Sequence, residues 1–219
     1  MDQVGETLDA VVIGAGWAGL GIAYCLRQAG LNYCVLERAR IGETWRTQRW
    51  DSFHFNLPNC YSVLPGDTYD GNDPEGFMTH TEFFAYLDDY SRRHNLRVLC
   101  STPATKLDVD GTFRVHTPGG TLRATSVVVA SGSLNRPRRP PVASKLVGPF
   151  QIDASDYRNA AQLPSGAVLV VGSAQSGCQI AEDLALAGRK TYLSRPYRST
   201  AAQVPRARYC RLDGGDRPL

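Results

Sequence analysis

The stretch Ala10-Val11-Val12-Ile13-Gly14-Ala15-Gly16-Trp17-Ala18-Gly19 places an apolar run directly before three glycines spaced as GxGxxG. The apolar run predicts a buried strand, and apolar residues that recur at helical spacing after Gly19 predict a helix. A strand that turns through glycines into a helix presents the unpaired N–H groups of the helix N-terminus to an anion. The stretch therefore predicts a βα unit whose turn can hold the pyrophosphate of a dinucleotide.

Each position of this motif has a physical role. Gly14 allows the tight turn, Gly16 lets the backbone approach the pyrophosphate, and Gly19 permits close packing of helix on strand. Glu37 follows a second predicted strand, 23 residues after Gly14, where a carboxylate can hold the ribose hydroxyls of FAD or NAD. A glycine turn in an unrelated α/β domain is the alternative. The candidate cofactor-binding residues of this copy are Gly14, Gly16, Trp17, Ala18, Gly19 and Glu37.

The same pattern returns 158 residues later. An apolar run at 168–171 enters a second glycine turn, a helical stripe follows to Gly188, and Thr191 to Leu193 predicts another strand. Ala174 replaces the middle glycine, and Ser176 adds a hydroxyl at the helix N-terminus. The candidate cofactor-binding residues of this copy are Gly172, Ala174, Gln175, Ser176 and Gly177.

The two copies differ at the position that would bind the adenosine ribose. Arg195 stands 23 residues after Gly172, in register with Glu37. A carboxylate repels a 2′-phosphate, whereas a guanidinium binds its oxygens as a fork. This register favours FAD or NAD in the first copy and NADPH in the second. The alternative is that Arg195 only begins a basic tail.

The residues between the copies predict a loop, a helix and short strands. Trp45 to Phe77 is rich in Pro, Gly, Asn and Asp, which indicates an irregular, ligand-covering loop. The Thr79-x-x-Glu82 capping box predicts a helix that runs to about Arg93. Strand patterns follow at 96–100, 105–109, 113–117 and 126–130, and a proline-rich linker at Asn135 to Pro149.

Composition excludes several classes of protein. The 219 residues are 42% apolar and 21% charged, as in a globular protein. No apolar run approaches the ~20 residues of a membrane-spanning helix, and the acidic start is unlike a secretory leader, so we expect no membrane span and a cytoplasmic location. From Arg195 onward the chain has six arginines against two aspartates, which accounts for the net charge of +3 and argues against nucleic-acid binding.

The six cysteines form no CxxC pair and show no zinc spacing. We expect reduced thiols, several of them buried, and no metal site.

Residues 8 to about 195 resemble the flavin-containing monooxygenase superfamily, especially its bacterial branch of flavoprotein monooxygenases. The resemblance depends on the first glycine motif, on Leu36-Glu37-Arg38 with Gly42 and Trp45-Arg46, and on Val129-Ala130-Ser131-Gly132. Gly172 to Gly177 followed by Ile180-Ala181-Glu182-Asp183-Leu184 completes it. It implies an α/β chain with two Rossmann-like dinucleotide-binding units, an FAD domain interrupted by an NADPH domain. The resemblance adds four candidate cofactor-binding residues, Arg38, Trp45, Ser131 and Gly132. Trp45 is expected beside the flavin, and Ser131-Gly132 near the point where the chain passes from the FAD domain to the NADPH domain.

The resemblance also implies an activity. NADPH would reduce FAD, and the reduced flavin would deliver oxygen to a small substrate through a nitrogen, a sulfur or a carbonyl group. Expected cofactors are FAD and NADPH, and expected partners are O2 and a small-molecule substrate, with a homodimer left open. Asn56 or Asn59 is the candidate side chain near the isoalloxazine ring. The alternative for a loop asparagine is a turn former.

Two departures from the family stand out. In the family's FxGxxxHxxx(Y/F) stretch, anchored on Tyr157, this chain has Val147, Pro149 and Asp153 for Phe, Gly and His. Family members are also considerably longer, so we expect a C-terminally truncated chain. Its expected parts are an N-terminal part of an FAD domain at 1–134, a linker at 135–149, the start of an NADPH domain at 150–195 and an atypical basic tail at 196–219.

Three alternatives remain beside a monooxygenase. A flavin-dependent disulfide reductase shares this domain plan, but it would need a redox pair of cysteines, which the spacing does not offer. An NADPH oxidase or flavin reductase without oxygenation needs no such pair. The chain could also be a catalytically inactive remnant that binds nucleotides.

Overall fold

A computed structural model describes residues 7–133 and 136–194 together with a short strand at Ala202–Gln203. The chain divides into two compact units. The first unit comprises Met1–Thr47 and His54–Arg136, and the second comprises Gln48–Phe53 and Pro137–Leu219. None of the helices in the described residues is long and apolar enough to cross a membrane.

The first unit is built on a mixed six-stranded sheet. Its strands are β1 (Leu8–Ile13), β2 (Tyr33–Leu36), β3 (Val98–Leu99), β4 (Lys106–Asp110), β5 (Thr112–Thr117) and β6 (Gly120–Val129). They are ordered β3-β2-β1-β6-β5-β4. β1 runs parallel to both β2 and β6, whereas β4, β5 and β6 pair antiparallel. The parallel half is the part that positions the first glycine motif, because β1 ends at that turn.

The described residues of this unit form three α-helices: α1 (Trp17–Gln28), α2 (Glu43–Thr47) and α3 (His80–Arg93). The buried face of α1, which includes Leu20 and Ala23, packs in one core with Val12 and Val35 of the parallel strands. Phe83 and Leu87 of α3 complete that core. The helical spacing of the apolar residues therefore gave the correct buried face of α3, whereas on α1 the apolar Ile22 is exposed and Leu20 is buried instead.

The capping box of α3 is confirmed. The Glu82 backbone N–H donates to Thr79 Oγ1 at 3.2 Å, and the Thr79 backbone N–H donates to Glu82 Oε2 at 2.8 Å. Two otherwise unpaired donors are satisfied reciprocally, which fixes the start of the helix.

Strand positions are confirmed, but some lengths differ from the prediction. β6 begins at Gly120, ahead of the predicted 126, because its first residues alternate polar and apolar side chains and residues 120–123 pair only with β5. β3 is two residues long because only Val98 and Leu99 pair with β2 at the sheet edge. The short helix α2 overlaps the start of the segment predicted as an irregular loop. None of the five cysteines in the described residues forms a disulfide and only Cys34 is buried, so the expectation of several buried thiols was wrong.

The second unit contains β7 (Val168–Val171), α4 (Gln175–Leu186), β8 (Thr191–Ser194) and β9 (Ala202–Gln203). β7 and β8 are parallel, and β9 pairs antiparallel with β8. The hexapeptide Gln48–Phe53 also packs in this unit: the Asp51 N–H donates to the Arg158 carbonyl at 2.8 Å. The sequence contained no signal that this hexapeptide packs in the second unit, since the residues that it contacts lie more than a hundred residues away.

Candidate functional site

The first glycine turn requires glycine at its first position. Gly14 has φ of +110°, a conformation that L side chains rarely adopt, and its N–H donates to the Leu36 carbonyl at 2.7 Å. A Cβ at this position would lie 2.5 Å from the Ala130 carbonyl oxygen. The end of β1 therefore passes directly against the end of β6, which leaves no room for a side chain.

The other two glycines of the motif face different surroundings. A Cβ on Gly19 would lie 1.8 Å from the Gly14 carbonyl oxygen, so the first turn of α1 rests on the backbone of the turn. A Cβ on Gly16 would meet nothing within 4 Å. Gly16 is not required by internal packing, and its open surroundings fit a backbone that a ligand approaches.

The first turn of α1 has neither a side-chain cap nor an acidic residue. Gly16 is the N-cap residue. α3 has its capping box in the same unit. An uncapped helix start with its dipole unopposed is suited to a phosphate, because the first N–H groups still need acceptors.

The Glu37 carboxylate is buried beside this turn, with 8% of the residue exposed. Its Oε2 accepts the Ala15 N–H at 2.9 Å, and its Oε1 accepts the Ala39 N–H at 3.0 Å. Each carboxylate oxygen can accept a further hydrogen bond. Sequence reasoning identified Glu37 but missed these two partners, since a backbone donor has no sequence signature. Arg38, the next candidate, is exposed.

Ser131 and Gly132 follow β6 at the edge of the sheet where the glycine turn lies. The Ala130 N–H donates to the Ile13 carbonyl at 2.8 Å, and a Cβ on Gly14 would lie 3.1 Å from the Cα of Ser131. Both residues are exposed, and Gly132 has φ of +81°. The structure thus brings them to the motif from a segment more than a hundred residues away.

Trp17 and Trp45 meet in one aromatic cluster with Phe55 and Phe83. Trp17 stacks on Phe83 with ring centroids 5.3 Å apart, and Trp45 contacts the same ring edge-on at 4.7 Å. Phe55 stacks on Phe83 at 4.3 Å. Both tryptophans are partly buried. This cluster ties the segment after α2 to α1 and α3. Ala18, the remaining candidate of the first motif, is exposed at the start of α1.

The second glycine turn repeats the geometry of the first. Gly172 has φ of +107°, and a Cβ on Gly177 would again lie 1.8 Å from the carbonyl oxygen of the first glycine. Ala174 is the N-cap residue of α4, makes no side-chain cap, and is followed by no acidic residue in the first turn. Gln175 and Ser176 are exposed there. One difference is that a Cβ on Gly172 would meet nothing within 4 Å, whereas Gly14 is enclosed by β6.

Arg195, assigned by register to the 2′-phosphate, lies outside the described residues, as does the tail from 196 onward apart from β9. The preceding strand β8 ends at Ser194 and is parallel to β7, as β2 is to β1. The register argument for Arg195 therefore stays a prediction from sequence.

The two candidate asparagines lie in different surroundings. Asn56 is exposed, whereas Asn59 is buried, with 9% of the residue exposed. Asn59 Nδ2 donates to the Asp73 carbonyl at 2.9 Å, and the Asn59 N–H donates to the Gly76 carbonyl at 2.8 Å. These bonds give Asn59 a role in the structure of the loop.

Residues at the positions of the FxGxxxHxxx(Y/F) stretch, where this chain departs from the family, form polar pairs inside the second unit. The Arg139 guanidinium donates to both oxygens of Asp153, at 2.8 and 2.9 Å, and holds the pKa of that carboxyl below its usual value. Tyr157 is buried and donates its hydroxyl to Asp183 on α4 at 2.5 Å. Burial, followed by the Asp183 carboxylate, raises the pKa of Tyr157. Ser52, in the docked hexapeptide, donates to the other oxygen of Asp183 at 2.6 Å.

A further polar network, missed by sequence reasoning, surrounds Asp67. The Arg93 guanidinium donates to both carboxylate oxygens of Asp67, at 2.9 and 2.7 Å. The Tyr86 hydroxyl donates to Asp67 at 3.0 Å, and His94 Nε2 lies 2.9 Å from it. Arg93 is the largest cause that lowers the pKa of Asp67 far below its ordinary value. The network fastens the loop before α3 to the end of that helix.

Comparison with known proteins identifies a family model and several relatives that match this chain. The family model described as pyridine nucleotide-disulphide oxidoreductase matches residues 11–210. An uncharacterized CzcO-like oxidoreductase of Geobacillus kaustophilus is 40% identical over 190 residues, which are 85% of this chain and 54% of the relative. The indole-3-pyruvate monooxygenase YUCCA1 of Oryza sativa is 32% identical over 207 residues, 90% of this chain and 49% of that protein.

A solved structure agrees with the sequence comparisons. The flavin-containing monooxygenase of Stenotrophomonas maltophilia superposes with a TM-score of 0.79 at 27% identity, over 90% of this chain and 59% of that chain. The chain spans about half the length of the curated relatives it matches.

Proposed function

The chain belongs to the pyridine nucleotide-disulphide oxidoreductase family, and on that premise we propose that it is an FAD- and NADPH-dependent oxidoreductase of the flavoprotein monooxygenase type. The observation that carries the proposal is the repeated turn, in which an uncapped helix begins on a glycine backbone at α1 and again at α4. Relatives named as flavin-containing and indole-3-pyruvate monooxygenases support the oxygenating type of chemistry.

The first turn is the proposed FAD site. Gly14, Gly16 and Gly19 would hold the pyrophosphate on the N-terminus of α1, with Trp17 and Ala18 supplying the first N–H groups. Glu37 retains acceptor capacity on both oxygens for ribose hydroxyls while it braces the turn. Arg38, Trp45, Ser131 and Gly132 are proposed as further contacts of this cofactor.

The second turn is the proposed NADPH site. Gly172, Ala174, Gln175, Ser176 and Gly177 surround the uncapped start of α4, which suits a second pyrophosphate. Arg195 is proposed to bind the 2′-phosphate as a fork. In this scheme residues 1–134 form part of an FAD domain, 135–149 a linker, and 150–195 the start of an NADPH domain.

FAD, when bound, would accept the hydride and activate oxygen. The protein then has to bind and orient the cofactor and the substrate and to exclude water from them. Of the two asparagines, we propose Asn56 for contact with the reactive part of the cofactor. Asn56 is exposed, whereas Asn59 is buried and its amide helps to hold the loop. The substrate is proposed to be a small molecule that is oxygenated at nitrogen, sulfur or a carbonyl group.

An NADPH oxidase without oxygenation is the second candidate. The position that holds histidine in the family motif holds Asp153, which is paired with Arg139. Aspartate in place of histidine at this position favours NADPH oxidation that releases hydrogen peroxide over transfer of oxygen to a substrate.

Purified chain with FAD, NADPH and O2 separates these functions. Oxygen uptake with substoichiometric hydrogen peroxide in the presence of an amine or sulfide supports a monooxygenase. Equal amounts of NADPH oxidised and peroxide formed support the oxidase. A chain that binds FAD but oxidises no NADPH contradicts both activities.

A further inference from the structure

The two edges of the six-stranded sheet differ in length. Among the described residues the sheet ends at β3 on one side and at β4 on the other. β3 has two residues, whereas β4 has five, contains no proline and pairs with β5 in an unbroken register. Proteins commonly keep edge strands short or interrupt them, because the outward N–H and C=O groups can pair with another chain. The β4 edge, defined as Lys106–Asp110, lacks both of these protections.

One face of β4 continues the core of the first unit to the edge of the sheet. Successive residues of a strand point to opposite faces, so Leu107 and Val109 share one face. Leu107 lies opposite Val115, which is fully buried, and Val109 lies opposite Phe113. At the edge itself, 42% of Leu107 and 65% of Val109 are exposed. The outermost strand therefore leaves two large apolar side chains uncovered beside a buried core.

The other face of β4 carries charges that are paired within the chain. The Asp108 carboxylate lies 2.8 Å from Lys106 Nζ and 2.6 Å from Arg114 Nε. His116 Nε2 lies 3.0 Å from the same carboxylate. Lys106, followed by Arg114 and His116, holds the pKa of Asp108 below its usual value. The charge in the middle of the strand is thus neutralised locally, while the two ends, Lys106 and Asp110, carry opposite charges.

This order of residues is complementary to itself when two copies of β4 run antiparallel. In the register that pairs all five residues, Lys106 of one copy faces Asp110 of the other at both ends. Leu107 of each copy then faces Val109 of the other. Opposite charges and apolar side chains that face each other across antiparallel strands stabilise the pair. The two Asp108 side chains meet at the centre, and each is already paired with Arg114 of its own chain.

We propose that two copies of this chain associate through the β4 edge, antiparallel and in this register, so that two sheets join into one. Charges on an edge strand ordinarily keep chains apart, but here the charges at the two ends attract. A pair of five-residue strands is smaller than a standard interface, so the dimer is weak, with a dissociation constant of about 10–100 µM. β4 contains no residue of either glycine turn, and the proposal does not depend on nucleotide binding.

Sedimentation velocity of the full chain between about 5 and 500 µM measures the association. We expect a reversible shift from monomer to dimer, and slower hydrogen exchange of the β4 backbone N–H groups over the same range. Val109→Lys replaces an apolar contact with Leu107 of the other copy and should weaken association at least ~5-fold. Val142→Lys is the matched control, because Val142 is 56% exposed and lies outside the sheet. It should leave the dissociation constant unchanged.

An exchange of charges tests the register itself. Lys106→Glu places a carboxylate opposite Asp110 of the other copy, and Asp110→Lys places two ammonium groups together, so each should weaken association at least ~5-fold. The double variant restores opposite charges at both ends and should return to within ~3-fold of wild type. Lys106→Glu combined with Asp70→Lys has the same net charge, but Asp70 is an exposed loop residue away from β4. This combination should stay as weak as Lys106→Glu alone.

Three results would overturn the proposal: a chain that stays monomeric up to about 500 µM, equal weakening by Val109→Lys and Val142→Lys, or a double charge variant that associates no better than Lys106→Glu alone. The first result would leave the β4 edge to an occupant other than a second copy, and the second would show that the copies meet elsewhere. Far-ultraviolet circular dichroism shows whether each variant is folded. Because the double charge variant has to regain association, unfolding of a variant cannot imitate the expected result.

Discussion

The Glu37 carboxylate accepts the Ala15 backbone N–H at 2.9 Å and so joins the end of β2 to the glycine turn after β1. Its second oxygen accepts the Ala39 N–H at 3.0 Å. The residue proposed to hold the ribose is therefore also part of the scaffold that holds the turn. Binding and folding are linked at this side chain, and variants of it should change both.

Glu37→Gln should lower both stability and FAD affinity. The amide offers one acceptor oxygen for two N–H donors, one buried and one partly buried, so one of them loses its partner, at a cost of about 1–3 kcal/mol. Urea denaturation measures the change. Asp9→Asn is the matched control, because Asp9 accepts a single N–H, from Asn32, at an exposed position. Equal destabilisation by the two changes would contradict the bracing role of Glu37.

Gly14→Ala should prevent correct packing of the parallel strands. The new Cβ would lie 2.5 Å from the Ala130 carbonyl oxygen at a φ of +110°, so both steric overlap and backbone strain oppose it. We expect a loss of several kcal/mol, about 3 or more, or insoluble protein. Thermal unfolding and soluble yield are the measurements. Gly119→Ala, where the Cβ approaches only Thr117 Oγ1 at 3.8 Å, should leave both nearly unchanged.

Local patterns predicted much of this fold because they are set by neighbouring residues. The capping box of α3 and the two strand-to-helix turns depend on spacings of a few residues, and each is found where it was predicted. The pairing of Glu37 with Ala15 depends on a backbone donor, which every residue has, so no sequence signal could identify it. The position of Gln48–Phe53 in the second unit depends on contacts with Arg158 and Asp183, far along the chain.

The candidate site was predictable to the same extent. The glycines of both turns have the close approaches that the motif implied, at 1.8 Å for Gly19 and for Gly177. The Asn59 interpretation depended on tertiary surroundings, because only the fold shows that its amide nitrogen binds the Asp73 carbonyl. Polar loop residues have the same sequence signature whether they hold a loop or face a ligand.

Arg195→Ala should weaken NADPH far more than NADH. The guanidinium is proposed to bind only the 2′-phosphate, so its removal should cost NADPH roughly tenfold or more in affinity. Fluorescence titration of both nucleotides gives the ratio. Arg198→Ala removes an equal charge from the same basic segment and should leave the ratio unchanged. Equal losses of affinity for the two nucleotides would contradict the assignment of Arg195 to the 2′-phosphate.

Asp67→Asn should destabilise the first unit at neutral pH and much less in acid. The folded-state pKa of Asp67 is lowered, chiefly by Arg93, so its stabilisation is present above the unfolded-state pKa of about 3.9. It is lost as the pH falls through the folded-state pKa. At pH 7 we expect a loss of about 2 kcal/mol on breaking this partly buried pair.

Denaturation curves at several pH values test this sign. The gap between wild type and Asp67→Asn should be widest at neutral pH and narrow steadily below pH ~4. Asp110→Asn is the control, because Asp110 pairs with Arg114 at an exposed position and its removal should cost less. A gap that widens in acid would show that the Asp67 carboxylate does not stabilise the fold as an ion.

Titration of the flavin-free chain with FAD tests whether the first glycine turn binds this cofactor. A Cβ on Gly16 would meet no protein atom within 4 Å, so Gly16→Val should leave the fold intact and fill only the space proposed for the pyrophosphate. We predict saturation at one FAD per chain for wild type and Gly119→Ala, and at least ~10-fold weaker binding for a folded Gly16→Val. Wild type that binds no FAD, or a folded Gly16→Val that binds it as tightly, would contradict FAD binding at the first glycine turn.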